Sequence, residues 1–89
     1  MNIYWTRTAR DDLQAIWNAA SLNSSVYANK FVCDLLSSAH NTLNSPEGGT
    51  IVPEINDPNT KEIICNPYRI MYQVRKDKIY FMQISSKHN

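Results

Sequence analysis

Apolar residues recur at helical spacing in two stretches of the first half of the chain. The first stretch follows Thr6, whose side chain suits a helix N-cap, and its apolar positions are Ala9, Leu13, Ile16, Trp17 and Ala20. The second follows a polar break that offers Asn23 or Ser24 as the next N-cap. It extends to about Asn44 with an apolar face of Ala28, Phe31, Val32, Leu35, Leu36, Ala39 and Leu43. Because the break is short, the two stretches predict a helical hairpin.

Before and after the helices, the apolar pattern changes to the period of two that is typical of strands. Residues 1–6 alternate weakly and predict a short first strand. After a loop predicted for residues 46–60, three further strands are predicted over residues 63–65, 69–75 and 78–85. They are joined by Asn66-Pro67 and by Lys76-Asp77, and such short connections imply antiparallel pairing. The predicted order of elements is therefore β-α-α-β-β-β.

The last two predicted strands differ in what their faces carry. In residues 69–75, one face carries Ile70, Tyr72 and Val74, and we predict that this face belongs to the core. The other face carries Arg69, Met71, Gln73 and Arg75. Residues 78–85 are apolar on both faces, which predicts a central strand or one covered at an interface.

Length and charge narrow the classes of protein. The 89 residues are enough for a single domain, residues 1–89, but not for an ordinary cofactor-binding enzyme. The net charge of +1 hides an uneven distribution, because residues 46–60 carry −3 and residues 61–89 carry +4. Arg69 and Arg75 share strand parity, so the sheet is predicted to have a basic face. Both a solvated face and a binding surface for an acidic partner fit this pattern.

The chain contains none of the common motifs for nucleotide, flavin or metal chemistry, so we expect no metal and no cofactor. Its N-terminus has no uninterrupted apolar segment, and no apolar run approaches the length of a membrane span. We therefore expect a cytoplasmic protein without a membrane partner. Cys33 and Cys65 are interpreted as reduced thiols, because they are far apart and lie in no metal-binding spacing.

Four residues near the predicted sheet have side chains that suit ribonuclease-type chemistry, in which a phosphorane is stabilised and a proton is transferred. They are Arg69, Tyr72, Lys87 and His88. Three of them also have a structural interpretation. Arg69 suits an anchor that binds a carboxylate such as Glu54 or Glu62, Tyr72 suits a buried phenol, and His88 suits an exposed chain end.

Several strings along nearly the whole chain resemble the RelE/ParE toxin superfamily. The most specific is Pro67-Tyr68-Arg69-Ile70-Met71-Tyr72 before a hairpin, and Val52-Pro53-Glu54-Ile55 favours the ParE-like branch. The others are Trp5-Thr6, Asp12-Leu13, Ile16-Trp17, Ala28-x-x-Phe31-Val32-x-x-Leu35-Leu36, Pro46 and Glu62-Ile63. The resemblance implies an α+β fold in which a helical hairpin packs on a mostly antiparallel sheet. It also implies a growth-inhibiting toxin whose partner is a small antitoxin that folds around it.

The branch decides the target of such a toxin. ParE-like members are implied to poison DNA gyrase without a nuclease site, and gyrase is the target that we predict. The alternative is a RelE-like endonuclease that cuts mRNA on the ribosome, with Arg69 stabilising the scissile phosphate and His88 or Lys87 donating the proton. The modest basic content stands against this alternative. A third interpretation is a degenerate toxin that only binds its antitoxin.

The resemblance leaves the roles of individual residues open. Arg69 matches an arginine found in both branches, and the chain's tail departs from the ParE-like pattern, with Ser86 in place of a histidine and His88 in place of an arginine. We predict contact with a protein partner at Arg69, Arg75, Tyr80 and Met82, whereas operator DNA is reached only through the antitoxin. For Tyr80 and Met82, the alternative is a place in the core.

Overall fold

The computed structural model describes residues 2–86. Its strands are β1 (Asn2–Trp5), β2 (Thr50–Ile51), β3 (Thr60–Cys65), β4 (Tyr68–Arg75) and β5 (Lys78–Ser86). Its helices are α1 (Arg7–Ser21) and α2 (Ser25–His40), and a turn of 3₁₀ helix follows at Asn41–Leu43. The predicted α+β fold is confirmed, and the segment predicted as a loop contains the short strand β2.

The five strands form one sheet in the order β1-β5-β4-β3-β2. β1 pairs parallel with β5, and the other three pairs are antiparallel. β5 therefore lies between β1 and β4, as its two apolar faces predicted. The pairing of β1 with β5 brings the first residues of the chain beside the last described strand.

The helices begin at the predicted caps. The Thr6 hydroxyl accepts a hydrogen bond from the Ala9 N–H at 3.2 Å, and the Ser24 hydroxyl caps α2 in the same way. The helical hairpin covers one face of the sheet, and the side chains buried between them come from both layers. They include Ala9, Ile16, Leu35, Ala39, Ile70, Tyr72, Ile79, Phe81 and Ile84.

A β-bulge in β5 interrupts the alternation of its side chains. Met71 pairs with Gln83, whereas the next residue of β4, Tyr72, pairs with Phe81, so Met82 has no partner on β4. Consequently, the core-facing residues of β5 are odd-numbered before the bulge and even-numbered after it. Phe81 faces the core, and the next core residue is Ile84.

Side chains at the start of α1 bind the backbone around this bulge. The Thr6 hydroxyl donates to the Phe81 carbonyl at 2.9 Å and lies 3.2 Å from the Met82 carbonyl. The Asp12 carboxylate accepts a hydrogen bond from the Ile84 N–H at 3.0 Å. These contacts satisfy backbone groups of β5 beyond the end of β1 and fix the irregular conformation there.

No helix within residues 2–86 has both the length and the apolar character needed to cross a bilayer.

Candidate functional site

The face of the sheet opposite the helices, called the outer face below, carries the four side chains predicted to contact a partner. Arg69 lies toward one end, beside carboxylates from β3 and from the segment after β2. Arg75, Tyr80 and Met82 lie together at the other end, next to the β4–β5 hairpin. The structure thus divides the predicted residues into two groups with different surroundings.

The Arg69 guanidinium is held by acceptors from three elements. It donates to Glu62 Oε1 at 3.1 Å and to Glu54 Oε2, and its Nε lies 3.4 Å from the Ser85 hydroxyl. The Arg69 and Glu62 side chains are only 14% and 12% exposed, whereas Glu54 is 54% exposed. The hydrogen bond that Arg69 donates to Glu54 is the largest effect that raises the pKa of Arg69 above its usual value. Arg69 therefore pairs with both carboxylates, Glu54 and Glu62, that were named for its role as an anchor.

Tyr72 lies on the inner face, on the opposite side of the sheet from the Arg69 guanidinium. It is fully buried, and its hydroxyl donates to the Pro46 carbonyl at 3.0 Å and accepts from the Gly49 N–H at 3.1 Å. Burial raises the pKa of this phenol above its usual value. The structure therefore separates Arg69 from Tyr72, while the candidates Lys87 and His88 lie outside the described residues.

We expect Tyr72→Phe to lower the free energy of unfolding by about 1–2 kcal/mol, because Gly49 N–H and the Pro46 carbonyl each lose a partner. Because the pKa of Tyr72 is raised in the folded state, the unfolded chain ionises first, and stability falls as pH rises above about 10. The fall in stability at high pH is smaller in Tyr72→Phe, because the variant lacks the phenol that ionises. Thermal denaturation between neutral and high pH measures both effects. Tyr80→Phe is the matched control, and equal melting temperatures for the two variants would contradict the role given to the Tyr72 hydroxyl.

A pocket of about 150 Å³ lies at the other end of the outer face. We call it the bulge pocket, and its lining residues are Thr6, Gln73, Arg75, Tyr80 and Met82. Gln73 is fixed by a hydrogen bond to the Thr60 hydroxyl at 3.1 Å. Three of the four predicted partner-binding residues therefore share one concave site.

Aromatic and cationic side chains border the bulge pocket. Tyr4 stacks on Tyr80 with ring centroids 5.3 Å apart, and Lys78 Nζ lies 5.9 Å from the Tyr4 ring centroid. Within residues 2–86, Arg75, Lys76 and Lys78 take part in none of the salt bridges. The hairpin end, with three cations against the single carboxylate of Asp77, is therefore cationic, whereas the Arg69 end has two carboxylates for one arginine.

Sequence reasoning missed Thr6 and Gln73 as lining residues of the bulge pocket and Tyr4 as the residue that stacks on its Tyr80. Thr6 was interpreted only as a helix cap, and Gln73 only as a polar residue of a strand. Tyr4 reaches the site because β1 pairs in parallel with β5, in a register that places Tyr4 opposite Tyr80. No local pattern in the sequence indicates that register.

Two larger cavities lie away from the predicted residues. One, of about 410 Å³, lies where β1 meets the end of α2 and includes the exposed His40. The other, of about 370 Å³, lies along the helical hairpin between Leu13, Trp17 and Val32. The turn of the hairpin also exposes apolar side chains, with Leu22 87% exposed. Apolar surface is thus present on both layers of the fold.

The element order and the helical hairpin on one face of the sheet agree with the α+β toxin fold that the resemblance implied. A family model described as the ParE toxin of a type II toxin–antitoxin system, parDE, matches residues 3–88. The chain belongs to this ParE toxin family, and the predicted branch of the superfamily is confirmed.

Several solved chains match this fold, and one of them shares it over almost its whole length. It is described as a chromosomal ParDE toxin–antitoxin system from P. aeruginosa, and the TM-score is 0.83 at 22% sequence identity. The match covers 99% of this chain and 97% of that chain. A search of curated proteins gave no match.

Proposed function

We propose that this toxin, acting as a single domain in the cytoplasm, inhibits DNA gyrase and is neutralised by a cognate antitoxin. Membership of the ParE family supports the class of target. The observation that favours gyrase over mRNA is the pairing of Arg69 with Glu54 and Glu62.

An arginine that stabilises a scissile phosphate needs hydrogen-bond donors directed at that phosphate. In this chain, Nη1 and Nη2 of Arg69 already donate to carboxylates. A phosphate at the same place would be a third anion beside Glu54 and Glu62, and the resulting repulsion opposes its binding. The Arg69 cluster therefore supports an anchoring role and a toxin without a nuclease site.

The surroundings of Tyr72 support the same conclusion. A phenol that acts as a general base or acid must lie within hydrogen-bond reach of the substrate. The Tyr72 hydroxyl is fully buried, binds the backbone of residues 46–49 and faces away from Arg69. Within residues 2–86, Arg69 and Tyr72 therefore lie on opposite faces of the sheet and do not meet at one RNA phosphate.

Inducible expression of the chain without an antitoxin tests this function in cells. We expect DNA-damage signalling and a fall in thymidine incorporation before any fall in methionine incorporation. We expect an antitoxin-sized reading frame to adjoin the toxin gene, and its co-expression is the control that is expected to restore growth. Prompt arrest of translation with cleaved mRNA would contradict the proposal and favour the RelE-like alternative. Normal growth of the strain that expresses the toxin without the antitoxin would favour a degenerate toxin.

A further inference from the structure

The bulge in β5 gives the outer face a shape that a regular strand would not have. Because Met82 is the extra residue, Met82 and Gln83 follow one another on the outer side of the ladder. The bulge thus adds an extra side chain, that of Met82, to the outer face at the place where Tyr80 and Arg75 line the bulge pocket.

The bulge pocket is held in place by the residues beneath and beside it. Thr6 both caps α1 and binds the Phe81 carbonyl, while Asp12 binds the Ile84 N–H on the far side of the bulge. Gln73 is fixed by Thr60 and Tyr80 by its stack on Tyr4. A site fixed in this way binds a ligand at a lower cost in conformational entropy.

The lining of the bulge pocket indicates the chemistry of its ligand. Met82 and the Tyr80 ring offer apolar contact for one side chain, whereas the exposed Arg75 at the rim lies in no salt bridge of the described chain. Arginine in that setting suits a carboxylate, which it binds through two parallel N–H donors. The complementary group is an apolar side chain next to an aspartate or glutamate.

A polypeptide fits this surface better than a single-stranded nucleic acid does. Proteins that bind single strands stack successive bases on several aromatic rings, whereas here Tyr4 covers one face of the Tyr80 ring and Lys78 lies over the Tyr4 ring, so the open aromatic surface suits one side chain rather than a run of bases. A phosphate backbone that continued along the outer face would also meet Glu54 and Glu62. The positive charge is local to the hairpin end, which matches a short acidic segment.

We infer that the bulge pocket docks an acidic segment of the antitoxin, with an apolar side chain seated between Tyr80 and Met82 and a neighbouring carboxylate bound by Arg75. This inference rests on the proposed function, because it assigns the segment to the neutralising partner. It gives Arg69 no part in the contact. The two predicted partner-binding arginines therefore have different roles, since Arg75 binds the antitoxin and Arg69 anchors the sheet.

The test measures the dissociation constant of the antitoxin from the adjoining reading frame for four forms of the toxin. They are the wild type, Arg75→Glu, Met82→Trp and Lys76→Glu. Arg75→Glu is expected to weaken binding at least about tenfold, because it places like charges at a desolvated contact. Met82→Trp fills the pocket and is expected to weaken binding by a similar factor. Lys76→Glu makes the same charge change one residue away, outside the pocket lining, and is expected to weaken binding less than about threefold at physiological salt.

Circular dichroism and melting temperature confirm that each variant is folded, and Arg75→Glu is at an exposed position where a loss of folding is not expected. Equal affinities for wild type, Arg75→Glu and Met82→Trp would overturn the inference while leaving the proposed function intact. An equal loss of affinity in Arg75→Glu and Lys76→Glu would also overturn it, since the net positive charge of the hairpin, rather than a contact with Arg75, would then explain the binding. A wild-type toxin that the antitoxin neither binds nor neutralises would overturn the proposed function itself. Displacement of the antitoxin by a short single-stranded oligonucleotide, lost in Arg75→Glu, would favour nucleic acid as the ligand instead.

Discussion

Replacing Arg69 by alanine is expected to lower the free energy of unfolding by about 2–3 kcal/mol and the melting temperature by roughly 10–20 °C. The substitution leaves the carboxylates of Glu54 and Glu62 facing each other without the cation between them. Glu62 is 12% exposed, so water replaces the lost hydrogen bond only in part. Thermal denaturation followed by circular dichroism measures the change.

Two further variants identify the source of that loss. Arg75→Ala removes an arginine from the same face that forms no ion pair in the described chain, and we expect a change of less than about 0.5 kcal/mol. Glu54→Gln removes charge from the more exposed partner and is expected to cost less than Arg69→Ala. An Arg69→Ala protein with an unchanged melting temperature and no toxicity would contradict the anchoring role and assign Arg69 to the target site.

Replacing Gly49 by alanine is expected to cost about 3 kcal/mol, because a Cβ at this position overlaps atoms that have little freedom to move. It would collide with the Tyr72 hydroxyl and lie 2.9 Å from the Glu62 carbonyl oxygen. Tyr72 is fully buried, and Glu62 belongs to β3. Relief of the collision therefore displaces residues 46–51 and breaks the hydrogen bond from the Gly49 N–H.

Gly48→Ala is the matched control for this prediction. A Cβ there meets the hydroxyl oxygen of the exposed Ser45 side chain at 2.8 Å, which rotation about χ1 relieves, and the Ser45 carbonyl oxygen at 3.1 Å, which needs a shift of only a few tenths of an ångström. We expect the Gly48→Ala protein to lose less than about 1 kcal/mol in urea denaturation. If Gly49→Ala is as stable as Gly48→Ala, the close packing of this segment against Tyr72 does not exist in solution.

The parts of the fold that depend on local pattern were predictable from the sequence. Thr6 and Ser24 begin the helices because their hydroxyls cap free N–H groups, and the apolar spacing of each helix follows from its 3.6-residue turn. The end of α2 was less predictable. The prediction extended this helix to Asn44, but regular α-helix ends at His40 and the apolar Leu43 lies in a 3₁₀ turn.

The parts that depend on long-range pairing were not predictable. The parallel pairing of β1 with β5 joins residues at opposite ends of the chain, so no turn sets its register. The bulge at Met82 lies where the side chains of Thr6 and Asp12 bind the backbone of β5, and these residues are about 70 or more positions away in the sequence. Both features are needed to build the bulge pocket.

The candidate site was predictable to a similar extent. Strand alternation predicted that Arg69 and Arg75 lie on one face, and the structure adds that Arg75 shares a pocket with Tyr80 and Met82 of β5. The alternatives for Arg69 depended on which carboxylates lie near it, and Glu54 approaches only because of the path of the segment after β2. The roles of Lys87 and His88 stay predictions, since these residues lie outside the described chain.

The most direct test of the proposed function is a gyrase assay with the purified toxin. With gyrase, ATP and relaxed plasmid, we expect the toxin to reduce supercoiling and to trap cleaved plasmid, and a stoichiometric amount of antitoxin to prevent both effects. The same preparation is expected to leave mRNA intact in a cell-free translation reaction. Unchanged gyrase activity together with ribosome-dependent cleavage of mRNA would contradict the account.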